Sequence, residues 1–216
     1  MDVKVLISIL LGSLAGLGMY ELSRWLVRRR TGMAVDGLLL NGRWSLAIWL
    51  LAGAAGCGAI ANWMDSTTHS IECMAAFFLL LSLSAIDGKI RKIPNELLLA
   101  LLILKVVSLL LDGQFPQIVP GLIGMAFGYI LFLLPARLGI SMGWGDIKLA
   151  AVAGFYLGIF GLFQAVMIMA GILGLYGLFL VVTKKGNLKS KVAIGPSLSL
   201  GMLATLLFPL AINIGL

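Results

Sequence analysis

The stretch Leu149–Val182 reads LAAVAGFYLGIFGLFQAVMIMAGILGLYGLFLVV, 34 residues without one Asp, Glu, Lys, Arg or His. As one straight helix, at ~1.5 Å per residue, it would be about 51 Å long. The hydrocarbon core of a bilayer is only about 30 Å thick and is crossed by about 20 apolar residues. Two shorter helices turning near Gly158 and Gly161 fit that thickness. Met74–Ile86 and Leu97–Leu104 are further runs of the same kind. In lipid, only helices and closed barrels satisfy every backbone N–H and C=O. Barrel strands alternate apolar and polar residues, and these runs do not. The fold class expected is therefore all-α, a polytopic membrane protein. The composition agrees: 61% hydrophobic and 12% charged residues are incompatible with an ordinary soluble domain of 216 residues.

Working outward gives about eight spans: Val3–Tyr20, Trp44–Ala61, Ile71–Ile86, Leu97–Leu111, Ile118–Leu134, Ile147–Phe160, Leu162–Val182 and Val192–Ile212. Charge placement supports that number. With eight spans, Arg24, Arg28, Arg29, Arg30 and Arg43 share one side with Lys89, Arg91, Lys92, Arg137, Lys148, Lys184, Lys185, Lys189 and Lys191. The opposite loops, Asn62–Ser70 and Asp112–Gln117, hold no Lys or Arg. The positive-inside bias makes the basic side cytoplasmic and both termini extracytoplasmic. Seven spans would put the Lys184–Lys191 cluster outside. The first span reads as a retained anchor, since no Ala-x-Ala-like cleavage site follows a short apolar region. The longest polar loop, Ser23–Arg43, is too short for a separate domain. We expect a single membrane domain over 1–216, with two N-terminal helices and a short basic loop in 1–62. The net charge of +7 is read as orientation signals facing membrane lipids, not as a nucleic-acid surface. Cys57 and Cys73 lie inside apolar runs and form no C-x-x-C pair, so no metal site is expected from them with His69.

Two aspartates stand out. Asp87 ends the third span in Ser-Ala-Ile-Asp-Gly-Lys-Ile-Arg-Lys-Ile-Pro-Asn, 84–95, and Asp146 begins the sixth in Met-Gly-Trp-Gly-Asp-Ile-Lys-Leu, 142–149. Both fall at the cytoplasmic membrane edge, where an ionisable group is costly and marks function. Two carboxylates that meet can share one proton. The ionised one takes a proton from water and the neutral one hydrogen-bonds a scissile carbonyl, which is aspartyl peptide hydrolysis without a metal or cofactor. Gly143 and Gly145 leave room for another backbone beside Asp146. Pro94 marks a turn, Asn95 is placed to cap the fourth span, and Gly195-Pro196-Ser197 is placed to break the start of the eighth. The plain alternative for each aspartate is a solvated or capping acid at a helix end, Asp146 capping the helix at Ile147.

Asp87 with Ile93-Pro94-Asn95, then Gly143-Trp-Gly-Asp146-Ile-Lys148-Leu149, then Ile194-Gly195-Pro196-Ser-Leu-Ser-Leu-Gly201, resembles the type IV prepilin peptidase family of Gly-x-Gly-Asp aspartyl proteases. The resemblance covers Ile71 to Gly201, the expected motif-bearing core. It implies that Asp87 and Asp146 are the catalytic pair. Gly143, Gly145, Lys148, Pro94, Asn95, Gly195 and Pro196 are then candidates for positioning substrate. It further implies residence in the cytoplasmic (inner) membrane and prepilin, pseudopilin or preflagellin substrates, cleaved after a short basic leader. Gly12-Ser13-Leu14 is similar to the family's Gly-Ser-Phe-Leu-Asn opening without its Asn. The paired C-x-x-C motifs of members that also N-methylate with S-adenosylmethionine do not occur, so the resemblance is to the peptidase-only form. A transporter using the carboxylates as a proton site is the competing class. Internal repeats would favour it, and none is found. Of the remaining intramembrane charges, Glu72 lies near the outer end of the third span and Lys105 in the fourth; the two could pair, but Lys105 is expected to snorkel outward.

Overall fold

A computed structural model describes residues 3–32, 39–40, 42–64, 66–139, 142–183 and 194–209. The expected cytoplasmic cluster Lys184, Lys185, Lys189 and Lys191, and the end of the last expected span at Ile212, lie outside them. Every regular element among the described residues is helical. They are α1 (Val3–Thr31), α2 (Ser45–Trp63), α3 (Thr67–Ile90), α4 (Asn95–Leu111), α5 (Ile118–Arg137), α6 (Trp144–Val182) and α7 (Ile194–Leu207), with a one-turn 3-10 helix at Phe115–Gln117. Five are long and apolar enough to cross a membrane: α1, α2, α3, α5 with its preceding turn, and α6. Large apolar side chains stand outward, Leu175 at 70% and Val182 at 72% exposure, while Ser23, Ser45, Ser108 and Thr205 are buried. That inversion suits lipid, where helices associate through small and hydroxyl side chains rather than by hiding leucine from water. The chain is a multi-pass membrane protein.

The helices form two compact units, Met1–Phe115 and Pro116–Leu216. In the first, α1 and α2 run antiparallel at close range. Gly12 faces the Gly53 carbonyl and Cys57, so that a Cβ there would clash with both. Nearer the C-terminal end of α1, the Ser45 hydroxyl donates to the Tyr20 oxygen at 3.2 Å. α1 does not stop at Tyr20. Ser23–Thr31, expected as loop, continue the helix, with Ser23, Leu26 and Val27 buried. Arginine is a good helix former, and the end of the apolar run marks where lipid stops rather than where the helix does. The Arg30 guanidinium reaches Glu96 at 2.6 Å and so ties the end of α1 to the first turn of α4. Glu96 lies just ahead of the expected span; its own backbone N–H, then Arg30, hold its carboxyl below the usual range.

In the second unit α6 is bent back on itself. Gly158 has φ 70° and ψ −177° inside the helical run, a region open essentially to glycine alone. Gly124 of α5 faces the Gly154 carbonyl and the Gly158 backbone, and Gly128 faces both the Ala150 carbonyl and the Leu162 side chain. Twelve residues of straight helix would separate Ala150 from Leu162 by about 18 Å, so one glycine can touch both only if the chain reverses between them. The expected turn is therefore at Gly158. The arm before Gly158 packs antiparallel to α5, and the arm after it runs back alongside. α7 lies antiparallel to that second arm, with Gly201 against Ala165 and Thr205 by Gly161, and with Gln164 Nε2 donating to the Phe208 carbonyl at 2.8 Å. The start of α6, the end of α6 and the start of α7 thus share one end of this unit.

Candidate active site

Asp87 belongs to the first unit. It occupies the last turn of α3 beside Leu83 and Ile86, which are wholly buried, and is itself only 5% exposed. The helix closes over it: Arg91 adopts φ 51° and ψ 38°, and its N–H donates to the Asp87 carbonyl. That N–H to Asp87 contact is 2.8 Å. A left-handed cap is usually left to glycine, and Arg91 is the one non-glycine residue with positive φ among the described residues. Ile93 and Pro94 are buried directly after the turn. Pro94, at φ −67° and ψ 127°, is the N-cap of α4, with no side-chain cap bond. Asn95, expected to be the cap, is instead the first helical residue. Pro94 holds the extended ψ usual for an N-cap rather than a helical one, so the helix opens one residue later.

Asp146 belongs to the second unit. α6 begins at Trp144, not at Ile147, so Asp146 sits inside the first turn. The Gly143 N–H donates to Asp146 Oδ2 at 3.2 Å, and the Asp146 N–H returns to the Gly143 carbonyl at 3.0 Å. The carboxylate thus does serve the helix terminus, from the position where acids favour the macrodipole. Gly143 is open on the surface and Gly145 partly so, with Trp144 standing out between them. Lys148 is exposed two residues on, a spacing at which helical side chains do not face each other. Gly195 and Pro196 share Asp146's end of the unit. They lie within the first turn of α7 rather than breaking it, because a first-turn proline lacks only an N–H that would have no helical partner.

The structure corrects one further expectation. Lys105 does not end in solvent: its ammonium lies 3.0 Å from Glu72 Oε1, with the two side chains 14% and 3% exposed. The Ser108 hydroxyl donates to Glu72 Oε2 at 2.7 Å, and His69 Nδ1 lies 3.4 Å from the same oxygen. Lys105 and Ser108 share a face of α4, the face that meets Glu72 on α3. The apolar pattern gave no sign of this polar cluster; the hint was two opposite charges on consecutive helices. Among the described residues, no three His, Cys, Asp or Glu side chains form a group able to hold a metal ion.

The sequence profile of the Type IV leader peptidase family matches residues 73–186, more than half of the chain. This protein belongs to the type IV leader peptidase family. The matched region takes in both Asp87 and Asp146. Two curated relatives, prepilin leader peptidase/N-methyltransferases from Burkholderia pseudomallei strains 1026b and K96243, are each 36% identical over 74% of this chain and 53% of their own. The chain thus spans about half the length of the curated relatives it matches. No solved structure gives a significant match. Within the family region lie Asp87, Pro94, Asn95, Gly143, Gly145, Asp146 and Lys148; Gly195 and Pro196 fall beyond it.

Proposed function

We propose that this chain is a membrane aspartyl endopeptidase that removes the short basic leader from prepilin-like precursors at the cytoplasmic face of the inner membrane, with Asp87 and Asp146 as its catalytic pair. The observation that carries the reading is the family match, which brackets both aspartates. Their surroundings support it. Asp87 is an acid kept out of water at a helix end, and Asp146 is held by the Gly143 N–H at a helix start. In the proposed reaction the two carboxyls share one proton. The ionised one takes a proton from water as the oxygen adds to the scissile carbonyl carbon, and the protonated one hydrogen-bonds the carbonyl oxygen. Collapse of the tetrahedral intermediate sends a proton to the departing amine, leaving a leader carboxylate and a mature N-terminus. Gly143 and Gly145 make room for substrate backbone beside Asp146. Lys148, Pro94, Asn95, Gly195 and Pro196 are weaker candidates for positioning it.

The deciding experiment is cleavage of a prepilin in detergent or liposomes, read by gel shift. Asp87→Asn and Asp146→Asn should each abolish turnover while the protein still inserts. The double variant should be little worse than either single one, as for residues that act as a unit. A well-folded Asn variant with near-normal turnover would return the aspartates to the role of helix-end acids. We further propose that the chain cleaves without N-methylating, since its two cysteines are buried singly on α2 and α3. Transfer of label from S-adenosylmethionine to the mature N-terminus would overturn that second statement alone.

A further inference from the structure

Away from the aspartates, the first unit carries a cavity of about 480 Å³ between α1 and α3, floored by Cys57 of α2. Its walls run from Lys4 to Ala15 on α1 and from Thr67 to Phe78 on α3. Each wall is about 17 Å of helix, close to half of the ~30 Å hydrocarbon core. The two walls begin at the same end, because Lys4 Nζ donates to the carbonyl of Met64, just ahead of α3, at 2.8 Å. Lys4, Ile7, Ser8, Thr67, Ser70 and Ile71 lie toward that end, and Leu11, Ala15, Met74, Ala75 and Phe78 lie deeper; the lining surface is almost wholly apolar. The cavity opens at the surface of the first unit, where Leu11 and Ile71 on its rims are each 61% exposed.

We propose that this groove is a phospholipid site, which takes one acyl chain from the leaflet at the Lys4 end and sets the lipid phosphate beside the Lys4 ammonium. Two features select that occupant. The groove is one leaflet deep, whereas a spanning helix of a protein partner needs about 20 residues and the full ~30 Å. A cation at the mouth complements a phosphate, which lysine binds as a point charge. Small residues, Ala15 and Ala75, stand where larger ones would close the space. The site does not depend on the peptidase reading, because neither aspartate lines it.

The test is lipid retention by the full chain, purified in a maltoside detergent, washed extensively, and examined by native mass spectrometry and lipid phosphorus. The wild type should keep one phospholipid per chain. Ala15→Phe, on an exposed position of the α1 wall, should lower that occupancy at least tenfold with an unchanged circular dichroism spectrum. Lys4→Glu should lower it severalfold, and Leu175→Phe, on the exposed surface of α6, should leave it unchanged. Should Ala15→Phe not fold, Ala75→Leu fills the same space from α3 and is held to the same outcome. Added phosphatidylglycerol should restore one lipid to delipidated wild type and not to the filled variant. Equal retention by wild type and the filled variant, or a groove that takes detergent and no added phospholipid, would overturn the proposal.

Discussion

Asp146 gives up one carboxylate oxygen to its own helix terminus, and that bond is what a substitution can disturb most finely. A Cβ at Gly143 would lie 3.1 Å from Asp146 Oδ2, tighter than nearly all real contacts, so the carboxylate must shift. Displacement of a catalytic group by a fraction of an ångström to an ångström can cost up to about 100-fold in rate. Gly143→Ala is therefore expected to lower kcat for prepilin cleavage by tenfold or more with little change in KM or thermal stability, measured with one prepilin substrate. Activity should follow a bell-shaped pH profile whose limbs belong to the aspartate pair and to neither residue alone. At this scale the sequence was most legible where charge is scarce: two acids at the ends of apolar runs are conspicuous, and the family match encloses both. It was least legible where a role depends on a neighbour's backbone. Asn95 carries a capping side chain, yet Pro94, with ψ at 127°, takes the cap position and Asn95 opens the helix.

α6 shows what an element's length alone can say. Thirty-four uncharged residues are too many for one crossing, and the turn falls at Gly158, where φ is 70°. A Cβ there meets nothing within 4 Å, so the cost of any other residue is in the backbone. Gly158→Ala is expected to destabilise the protein by about 1–3 kcal/mol, seen as a lower thermal midpoint in detergent. The Glu72–Lys105 contact makes the opposite case. A lysine near a helix end has two outlets, water or an acid on the next helix, and only the register between α3 and α4 chooses between them. That register comes from side-chain packing and is invisible in the apolar pattern. With Glu72 almost wholly buried, Lys105→Met would leave its charge without the ammonium, a loss of about 3–5 kcal/mol for a buried pair. The Glu72→Gln/Lys105→Met double variant should recover most of it. Once folded, both proteins should cleave prepilin at near wild-type rates, since this cluster stands at the opposite end of α3 from Asp87. A Lys105→Met protein as stable as the wild type would show the pair to be solvated.

Over the whole molecule, Asp87 belongs to one compact unit and Asp146 to the other, and the proposed dyad requires their two ends to face the same side of the membrane. The reversal at Gly158 bears directly on this. It returns the end of α6 to the end of the unit that holds Asp146, so the segment after Val182 emerges on Asp146's side. In the first unit, Arg28–Arg30 at the end of α1 and the turn after Asp87 lie at one end, tied by the Arg30–Glu96 pair. Ser66 and Gln114 lie at the other, next to the starts and ends of α3 and α4. From the excess of Lys and Arg, the end bearing Arg28–Arg30 is expected to be cytoplasmic. A cysteine introduced at Lys185 or Asn187 is expected to react with an impermeant maleimide only from the cytoplasmic side, and one at Ser66 or Gln114 only from outside. Cys57→Ala and Cys73→Ala remove the native thiols as background. If position 185 reacted from outside, α6 would cross once rather than twice. Asp146 and the chain after Val182 would then lie on opposite sides, and the eight-span arrangement would fall with them. If position 66 reacted from the cytoplasm, the first unit would be inverted and Asp87 would face away from the compartment where the leader is proposed to be cut. The pattern with 66 and 114 outside and 185 and 187 inside puts both carboxylates on the cytoplasmic side, as the proposed dyad and the proposed site of leader cleavage require.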